Sequence, residues 1–231
     1  MASKKSEIRK NLVIVGCGEH ARCAVEVIEA QALYNIFGFV TNAESELGKT
    51  FYGYPVLCLD DQLADMCKEN RDIGHYFLGI GVASGSMFGR FSIYHRLDKI
   101  LSPANVIAPE SVISRYTTIG EGIFIEPYVR ISNGVKLGNH CIVQSFTAIN
   151  HDQTIGDNVL IGCNVAMAGS SVGSHSTIAD GSTIGFKKCI GSNCLVTDGT
   201  VVTKDIPDNV IAYGNPAKTM PRDRLHAPRV K

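Results

Sequence analysis

An aliphatic residue recurs at every sixth position through the second half of the chain. The series starts at Ile107, loses one residue after Met167 and resumes at Val172. Its members are Ile107, Ile113, Ile119, Ile125, Ile131, Leu137, Val143, Ile149, Ile155, Ile161, Met167, Val172, Ile178, Ile184, Ile190, Val196 and Val202. Neither a helix of period 3.6 nor a strand of period 2 produces this pattern. A six-residue period is typical of a parallel β-helix built from hexapeptide repeats, which we predict over residues 106–204.

Residues 12–101 have a different pattern, in which strands and helices alternate. The strands are predicted at residues 12–15, 36–40, 54–57 and 75–80, and the helices at residues 22–33, 61–70 and 87–99. Asp60 and Asp61 are expected to cap the second helix. This alternation predicts a small parallel α/β domain. Residues 205–231 contain several prolines and are predicted to be a tail without a long regular element.

Composition excludes several classes of function. The formal net charge is zero, which argues against a nucleic-acid partner. Apolar runs of about 18 residues are missing, so no membrane span is predicted. Residues 1–11 are polar and basic, and we interpret them as a disordered lead-in rather than a secretory signal. The eight cysteines form no C-x-x-C pair, and we expect reduced, buried thiols in a cytoplasmic protein, with neither disulfides nor zinc.

The order of these parts, together with three motifs, resembles the PglD/NeuD-type sugar-nucleotide acetyltransferases over nearly the whole chain. The motifs are the loop at residues 16–22 (GCGEHAR), Asn150-His151-Asp152, and the tail at residues 214–218 (GNPAK). The resemblance implies a Rossmann-like N-terminal domain that holds a nucleotide-linked amino sugar. It also implies a left-handed β-helix, a homotrimer, and acetyl-CoA bound between neighbouring β-helices with the tail nearby.

His151 is the first candidate catalytic residue. It follows the inward Ile149 by two residues, which places it at an outward corner of the coil, and Asp152 lies beside it. Acetyl transfer to an amine needs a proton acceptor, and histidine titrates near neutrality. The resemblance makes His151 the general base and Asp152 its orienting partner; a surface histidine at a turn is the alternative. His140 and His175 lack the spacing of metal ligands and are expected to be solvated turn residues, so no metal is predicted.

Gly169 lies 18 residues after His151, which is one full coil of three hexads. We therefore expect it beside His151 at about the strand spacing of 4.8 Å, with its N–H available to a developing oxyanion. The alternative is a glycine required only for turn geometry. Lys187 and Lys204 lie late in the repeat and are candidates to bind the phosphates of coenzyme A. The resemblance further implies that Pro216 lies near coenzyme A and that Gln144 lies near the reacting amine. The simpler explanation of Lys187 and Lys204 is that both are lysines on a solvated corner.

The N-terminal loop is a candidate phosphate site. Gly16 and Gly18 follow a buried strand and precede a helix, as in dinucleotide-binding loops. The second strand ends in Thr41-Asn42, without the acidic residue that would hold a ribose, which disfavours NAD. We assign Gly16, Gly18, His20, Arg22, Thr41, Asn42 and Gly81 to substrate binding. Local packing is the alternative for His20.

The sequence and the resemblance thus predict an acetyl-CoA-dependent N-acetyltransferase that acts on a nucleotide-linked amino sugar. They leave open whether its product enters surface polysaccharide, a glycoprotein or a small metabolite. Two alternatives remain open. One is O-acetylation of a sugar hydroxyl with the same base, and the other is a non-catalytic nucleotide-sugar-binding scaffold.

Overall fold

The computed structural model describes residues 9–81 and 87–223. Residues 9–80 and 95–104 form one compact unit, and residues 81, 87–94 and 105–223 form a second. Most of the predicted lead-in and the end of the predicted tail, residues 224–231, lie outside the described residues. Within the described ranges, no helix has both the length and the apolar character needed to cross a membrane.

The first unit contains a six-stranded sheet and the helices predicted from the alternating pattern. The strand order is β3-β4-β2-β1-β5-β6, and all neighbours are parallel except β3 and β4. The strands are β1 (Lys10–Val15), β2 (Tyr34–Thr41), β3 (Thr50–Phe51), β4 (Tyr54–Leu59), β5 (Ile73–Leu78) and β6 (Ser102–Pro103). The helices are α1 (Glu19–Gln31), α2 (Leu63–Glu69) and α3 (Phe88–Leu97), with a short 3-10 helix at Glu44–Glu46. Of α3, residues 88–94 belong to the second unit.

Strand β1 lies at the centre of this sheet, between β2 and β5. Leu12 and Val15 mark the ends of an apolar run that is at most 2 % exposed, as expected for a strand covered on both faces. The predicted cap of α2 is wrong, because Gln62 occupies the N-cap position and its side-chain oxygen accepts a hydrogen bond from the Leu59 N–H at 3.1 Å. Asp60 instead binds the Arg96 guanidinium at 2.7 Å.

Helix α1 approaches the sheet closely at Gly79, directly after β5. A Cβ on Gly79 would lie 2.5 Å from the Ala21 Cβ and 2.8 Å from its Cα. We therefore expect Gly79→Ala to lower the free energy of unfolding by about 1–3 kcal/mol, the usual cost of overpacking a filled interior. Urea unfolding followed by far-UV circular dichroism measures this loss. Gly74→Ala is the matched control in β5, since a Cβ on Gly74 meets nothing within 4 Å; equal losses in both variants would contradict the packing argument.

The second unit is a parallel β-helix made of two-residue strands on three faces. The first face holds β7 (Val106–Ile107), β10 (Phe124–Ile125), β13 (Ile142–Val143), β16 (Leu160–Ile161), β19 (Thr177–Ile178) and β22 (Leu195–Val196). The second holds β8 (Val112–Ile113), β11 (Arg130–Ile131), β14 (Ala148–Ile149), β17 (Ala166–Met167), β20 (Thr183–Ile184) and β23 (Val201–Val202). The third holds β9 (Thr118–Ile119), β12 (Lys136–Leu137), β15 (Thr154–Ile155), β18 (Ser171–Val172) and β21 (Cys189–Ile190).

The predicted inward positions are confirmed. Each residue of the six-residue series is the second residue of one strand, and from Ile125 to Val202 the series lines one buried cluster. Ile149 and Val196, for example, have 0 % exposure. Because burial of such a side chain contributes about 1.5–3 kcal/mol, this repeated column dominates the stability of the β-helix.

The first part of α3 packs on one corner of the β-helix and buries polar groups there. The Arg90 guanidinium, 2 % exposed, donates to the His140 carbonyl at 3.2 Å. The His140 ring stacks on Tyr94 with centroids 3.9 Å apart, and Asn158 lies 3.1 Å from the His175 Nδ1. The prediction that His140 is solvated is therefore wrong. Burial also lowers the pKa of His175. Among the described residues, no group of three His, Cys, Asp or Glu is placed to hold a metal ion.

The tail contains only short elements. Strand β24 (Val210–Tyr213) pairs in parallel with β22, and β25 (Lys218–Pro221) returns antiparallel to β24. The turn between them carries the GNPAK motif. It contacts the start of β23, because the Val201 N–H donates to the Gly214 carbonyl and the Ala217 N–H donates to the Val201 carbonyl.

Candidate active site

His151 lies in the four-residue turn, residues 150–153, that joins β14 to β15. Its Nδ1 is 3.0 Å from Asp152 Oδ2, and the imidazole is 54 % exposed. Asp152 adopts a left-handed backbone conformation with φ of 55°, and its N–H donates to the Asn133 carbonyl of the preceding coil at 3.1 Å. The ring thus points outward from a corner, as predicted, with Nδ1 facing a carboxylate.

The next turn on this edge is one residue shorter. Ile149 pairs with Met167, 18 positions later, whereas Ile155 pairs with Val172, 17 positions later. Gly169 has φ of 59° and lies two positions before the first residue of β18, as Asp152 lies two positions before the first residue of β15. Gly169 therefore corresponds to Asp152 in the coil, and the predicted correspondence with His151 is wrong. Ala168 directly precedes Gly169, as His151 directly precedes Asp152, and its carbonyl accepts from the Lys187 N–H as the Asn133 carbonyl accepts from the Asp152 N–H.

The shortened turn contains two backbone amides without partners among the described residues. At corresponding positions in the neighbouring coils, the Asp152 N–H donates to the Asn133 carbonyl and the Lys187 N–H donates to the Ala168 carbonyl at 3.1 Å. The N–H groups of Ala168 and Gly169 form no hydrogen bond within the described chain. Consecutive free amides form a small anion-binding concavity, so this turn presents hydrogen-bond donors one coil away from His151.

Phe186 and the two candidate lysines continue the same edge. A Cβ on Gly169 would lie 3.1 Å from the Phe186 ring, so the ring covers this turn while remaining 58 % exposed. The Lys187 Nζ lies 5.2 Å from the Phe186 centroid, and Lys204 is exposed in the following turn. Sequence reasoning missed Phe186, although an exposed aromatic residue in a polar turn was the available signal. Pro216 is exposed in the turn between β24 and β25.

Gln144 is not brought to His151 within one protomer. It lies in the turn before β14, whereas His151 lies in the turn after it. Its Nε2 is 3.4 Å from Glu126 Oε1, and the other oxygen of that carboxylate accepts from the Ser145 N–H and hydroxyl at 3.0 Å. The proposed contact between Gln144 and the amine stays a prediction.

In the first unit, the candidate loops meet at the carboxyl edge of the parallel strands. Gly16 has φ of 108°, and a Cβ there would lie 3.1 Å from the Gly79 carbonyl oxygen, so a side chain is disfavoured. Gly18 is the N-cap of α1 and leaves the first helical N–H groups without a side-chain cap. Thr41 is buried and its hydroxyl accepts from the Ala43 N–H at 3.2 Å. This edge, at the N-terminus of a helix, suits an anionic ligand.

The remaining candidates near this loop have local contacts. The His20 ring lies against Phe77 with centroids 6.4 Å apart, and the Arg22 guanidinium lies 5.4 Å from the Phe51 centroid. Asn42 is exposed directly after β2. Gly81 is the last described residue before residues 82–86, which lie outside the described residues.

All eight cysteines are free thiols. Cys58, Cys141 and Cys194 are buried as predicted, but Cys23 and Cys189 are exposed. Desolvation raises the pKa of Cys58 to about 11 and that of Cys141 to about 12, so these two thiols stay protonated and unreactive near neutrality.

Two protein families match the chain. Residues 11–96 match the PglD N-terminal domain, and residues 116–151 match the bacterial transferase hexapeptide family of six repeats. Together these matches cover more than half of the chain. No curated protein sequence matches it significantly.

Solved structures resemble the chain over almost its full length. A histidine-to-alanine variant of GDP-perosamine N-acetyltransferase from Caulobacter crescentus, in complex with CoA and GDP-perosamine, is 28% identical with a TM-score of 0.83 and covers 95% of this chain and 99% of that chain. The acetyltransferase domain of PglB from Neisseria gonorrhoeae, in complex with acetyl coenzyme A, is 22% identical with a TM-score of 0.80. The match covers 92% of this chain and 100% of that chain. WeeI from Acinetobacter baumannii is 22% identical with a TM-score of 0.72, and the match covers 91% of this chain and 100% of that chain.

The last two similarities bear on the fold alone, and they agree with the first in identifying the β-helix as left-handed. The N-terminal match, the hexapeptide repeat and the full-length similarity to a sugar acetyltransferase point to the same group of acyltransferases. The chain is therefore an acyltransferase that joins a PglD-type N-terminal domain to the hexapeptide repeats of bacterial transferases, as in the sugar acetyltransferases that it resembles.

Proposed function

We propose that the protein transfers the acetyl group of acetyl-CoA to the amino group of a nucleotide-linked amino sugar. The observation that carries this proposal is the pairing of an outward His151–Asp152 dyad with the free amides of the shortened turn on the same edge. The 28% identical structure from Caulobacter crescentus holds CoA and GDP-perosamine, which supports both substrate classes.

His151 acts as the general base. Because Nδ1 faces Asp152 at 3.0 Å, the dyad keeps the proton on Nδ1 and leaves Nε2 to accept the ammonium proton of the sugar. The free amine then attacks the thioester carbonyl, and a C–N bond forms as the carbonyl oxygen gains charge. When the tetrahedral intermediate collapses, the C–S bond breaks and coenzyme A leaves as the thiolate, which takes the proton of the imidazolium. The nitrogen of the new amide releases its remaining extra proton to water, so that the transfer from an ammonium group yields the amide, the thiol of coenzyme A and one proton.

The amide of Gly169 is our candidate donor to the oxyanion. It needs no rearrangement to act, since no acceptor in the described chain occupies it. Such preorganised donors are worth about 10²–10³-fold in kcat. Lys187, Lys204 and Pro216 are the candidate contacts for coenzyme A, since the two lysines extend this edge away from His151. Phe186 joins them because its ring borders Gly169.

The crevice at the carboxyl edge of the first unit is our candidate nucleotide site. The N-terminus of α1 after Gly18 offers uncapped N–H groups to a diphosphate, and Gly16 permits close approach of the backbone. Arg22 and Asn42 supply polar groups near this edge. Thr41 is a candidate through its hydroxyl, which accepts from the Ala43 N–H and still has its own O–H to donate.

We also propose a homotrimer in the cytoplasm. Two aromatic rings, Tyr128 and Phe146, stack on one corner with centroids 5.2 Å apart, and they are 59 % and 64 % exposed. Large exposed apolar groups of this kind are typical of protein interfaces. Eight free thiols agree with a reducing compartment. Sedimentation equilibrium should give three times the protomer mass; a monomer at micromolar concentration would contradict the trimer.

The decisive experiment combines acetyl-CoA with GDP-, UDP- and dTDP-linked amino sugars and follows the products by mass spectrometry. We expect one amino sugar nucleotide to gain an acetyl group that survives alkaline hydroxylamine, as an amide does. A hydroxylamine-labile product would indicate O-acetylation instead. Nucleotide binding without any coenzyme A binding, measured by thermal shift, would favour a non-catalytic role and contradict the proposal.

A further inference from the structure

A glutamine lies inside the β-helix directly behind the His151 turn. Gln153 has 0 % exposure, and its Nε2 donates to the Asn150 carbonyl at 3.1 Å and to the Met167 carbonyl at 2.8 Å. Both partners are acceptors, so only the NH₂ end of the amide can face them, which fixes the orientation of the side chain. Gln153 thereby closes the turn across its own backbone and ties it to the end of β17, directly before the shortened turn.

Closing a coil does not require glutamine at this position. The corresponding residue is Val135 in the preceding coil and Ser170 in the following one, where the hydroxyl donates to the Ala168 carbonyl at 3.1 Å. Glutamine also leaves its Oε1 buried without a hydrogen bond in the described chain, which is unfavourable. A buried polar group that the fold does not need, and that carries an unsatisfied atom, calls for another explanation.

The His151 ring has few contacts of its own. Its hydrogen bond within the described chain is to the neighbouring Asp152, which is itself largely exposed. The location of the imidazole is therefore set by the backbone of residues 150–152. On the outer side of the coil, the Asp152 N–H donates a hydrogen bond to the Asn133 carbonyl. On the inner side, the Gln153 Nε2 donates to the Asn150 carbonyl, and both bonds fix this backbone.

We propose that Gln153 is a positioning residue, which holds the turn so that the His151 imidazole stays at the distance from the free amides that acetyl transfer requires. The inference rests on the proposed function. Gln153 touches neither substrate, and it acts through the carbonyls of Asn150 and Met167.

Gln153→Met tests the two hydrogen bonds while keeping the length and volume of the side chain. We expect kcat to fall about 10- to 100-fold, since small displacements of a catalytic group have such effects, with KM for acetyl-CoA changed less than about threefold. Ser176→Ala is the matched control, because Ser176 is equally buried and ties coils at another corner through the Gly191 carbonyl at 2.8 Å. A kcat for Gln153→Met within about twofold of the wild type, or no lower than that of Ser176→Ala, overturns the proposal.

Gln153→Glu adds a second measurement, the pH dependence of kcat. A residue that only fills space in the interior would leave this dependence unchanged. Burial raises the pKa of an introduced carboxyl, so at low pH it is neutral and can donate its O–H to one of the two carbonyls. At higher pH the carboxylate faces two carbonyl oxygens and is repelled by them. We expect the ratio of kcat for Gln153→Glu to that of the wild type to fall as pH rises from about 6 to about 9, while the ratio for Gln153→Met stays flat. If the ratio of kcat to that of the wild type is independent of pH for both variants, the Gln153 side-chain N–H donors do not have the proposed role.

Hydrogen–deuterium exchange separates this inference from the proposed function. In Gln153→Met the amides of residues 150–152 should exchange faster than in the wild type, whereas Ser176→Ala should leave them unchanged. Unchanged exchange in Gln153→Met overturns the proposal whatever the activity. An inactive wild type would contradict the proposed function, and the exchange comparison would still decide whether Gln153 holds the turn.

Discussion

Replacing His151 with alanine is expected to lower kcat about 10²–10⁴-fold, the usual contribution of a positioned general base. The turn should keep its shape, because Gln153 and the Asp152 N–H hold it without the imidazole. KM for acetyl-CoA should change little, since the candidate coenzyme contacts lie in later coils. Steady-state kinetics with acetyl-CoA and the amino sugar nucleotide measures both constants.

Two measurements keep this prediction specific. The His151→Ala variant should melt at the same temperature as the wild type and bind coenzyme A with the same affinity by calorimetry, because the imidazole is 54 % exposed and supports no packing. Loss of activity together with a large fall in melting temperature would indicate a structural role. Retention of more than about one tenth of the wild-type kcat would remove His151 from the role of base.

Insertion of one serine between Ala168 and Gly169 is expected to lower kcat about 10²–10³-fold, the effect of losing one oxyanion donor. The insertion restores the four-residue turn found in the neighbouring coils. The Gly169 N–H would then donate to the His151 carbonyl, as the Asp152 N–H donates to the Asn133 carbonyl. The added residue would also take the position directly before Gly169 that Ala168 now holds.

The fold should tolerate this insertion, because it extends a turn on the surface and supplies a missing coil-to-coil hydrogen bond. Insertion of one serine between Ser192 and Asn193 is the control, because Asn193 has a positive φ of 53° as Gly169 does and its turn lies on a different edge, away from the proposed site residues and the Tyr128–Phe146 stack. We expect that control to keep its kcat within about threefold of the wild type, well inside the effect of a lost donor. If the two insertions have equal effects on kcat, the amides of the short turn have no special part in the reaction.

Much of this arrangement could be predicted from the sequence because the hexad period is a local signal. The column from Ile107 to Val202 follows from side-chain hydrophobicity alone, and it places His151 two residues beyond an inward position, at a corner. The break after Met167 was also visible. The sequence did not show how this break shifts Gly169 relative to the preceding coil. That shift depends on whether the missing residue is lost before or after Gly169 in the turn.

Two other incorrect predictions, for His140 and Asp60, have a common physical cause. His140 has the sequence context of a solvated turn, but Tyr94 stacks on its ring and Arg90 binds its carbonyl. Asp60 has the sequence context of a helix cap, but Arg96 binds its carboxylate. In each case a group remote in sequence competes with the local preference, and periodicity contains no information about that group.

Period and motif alone determined that this chain forms a β-helix with an α/β domain before it, and that His151 projects from an edge. Only the tertiary structure decided which turns are covered and that Gly169 corresponds to Asp152. It alone also decided that the amides of Ala168 and Gly169 have no partner within residues 9–81 and 87–223. The reason is that hydrophobic burial is decided within one hexad, whereas coil-to-coil hydrogen bonds join residues a full coil apart and depend on the relative lengths of two turns.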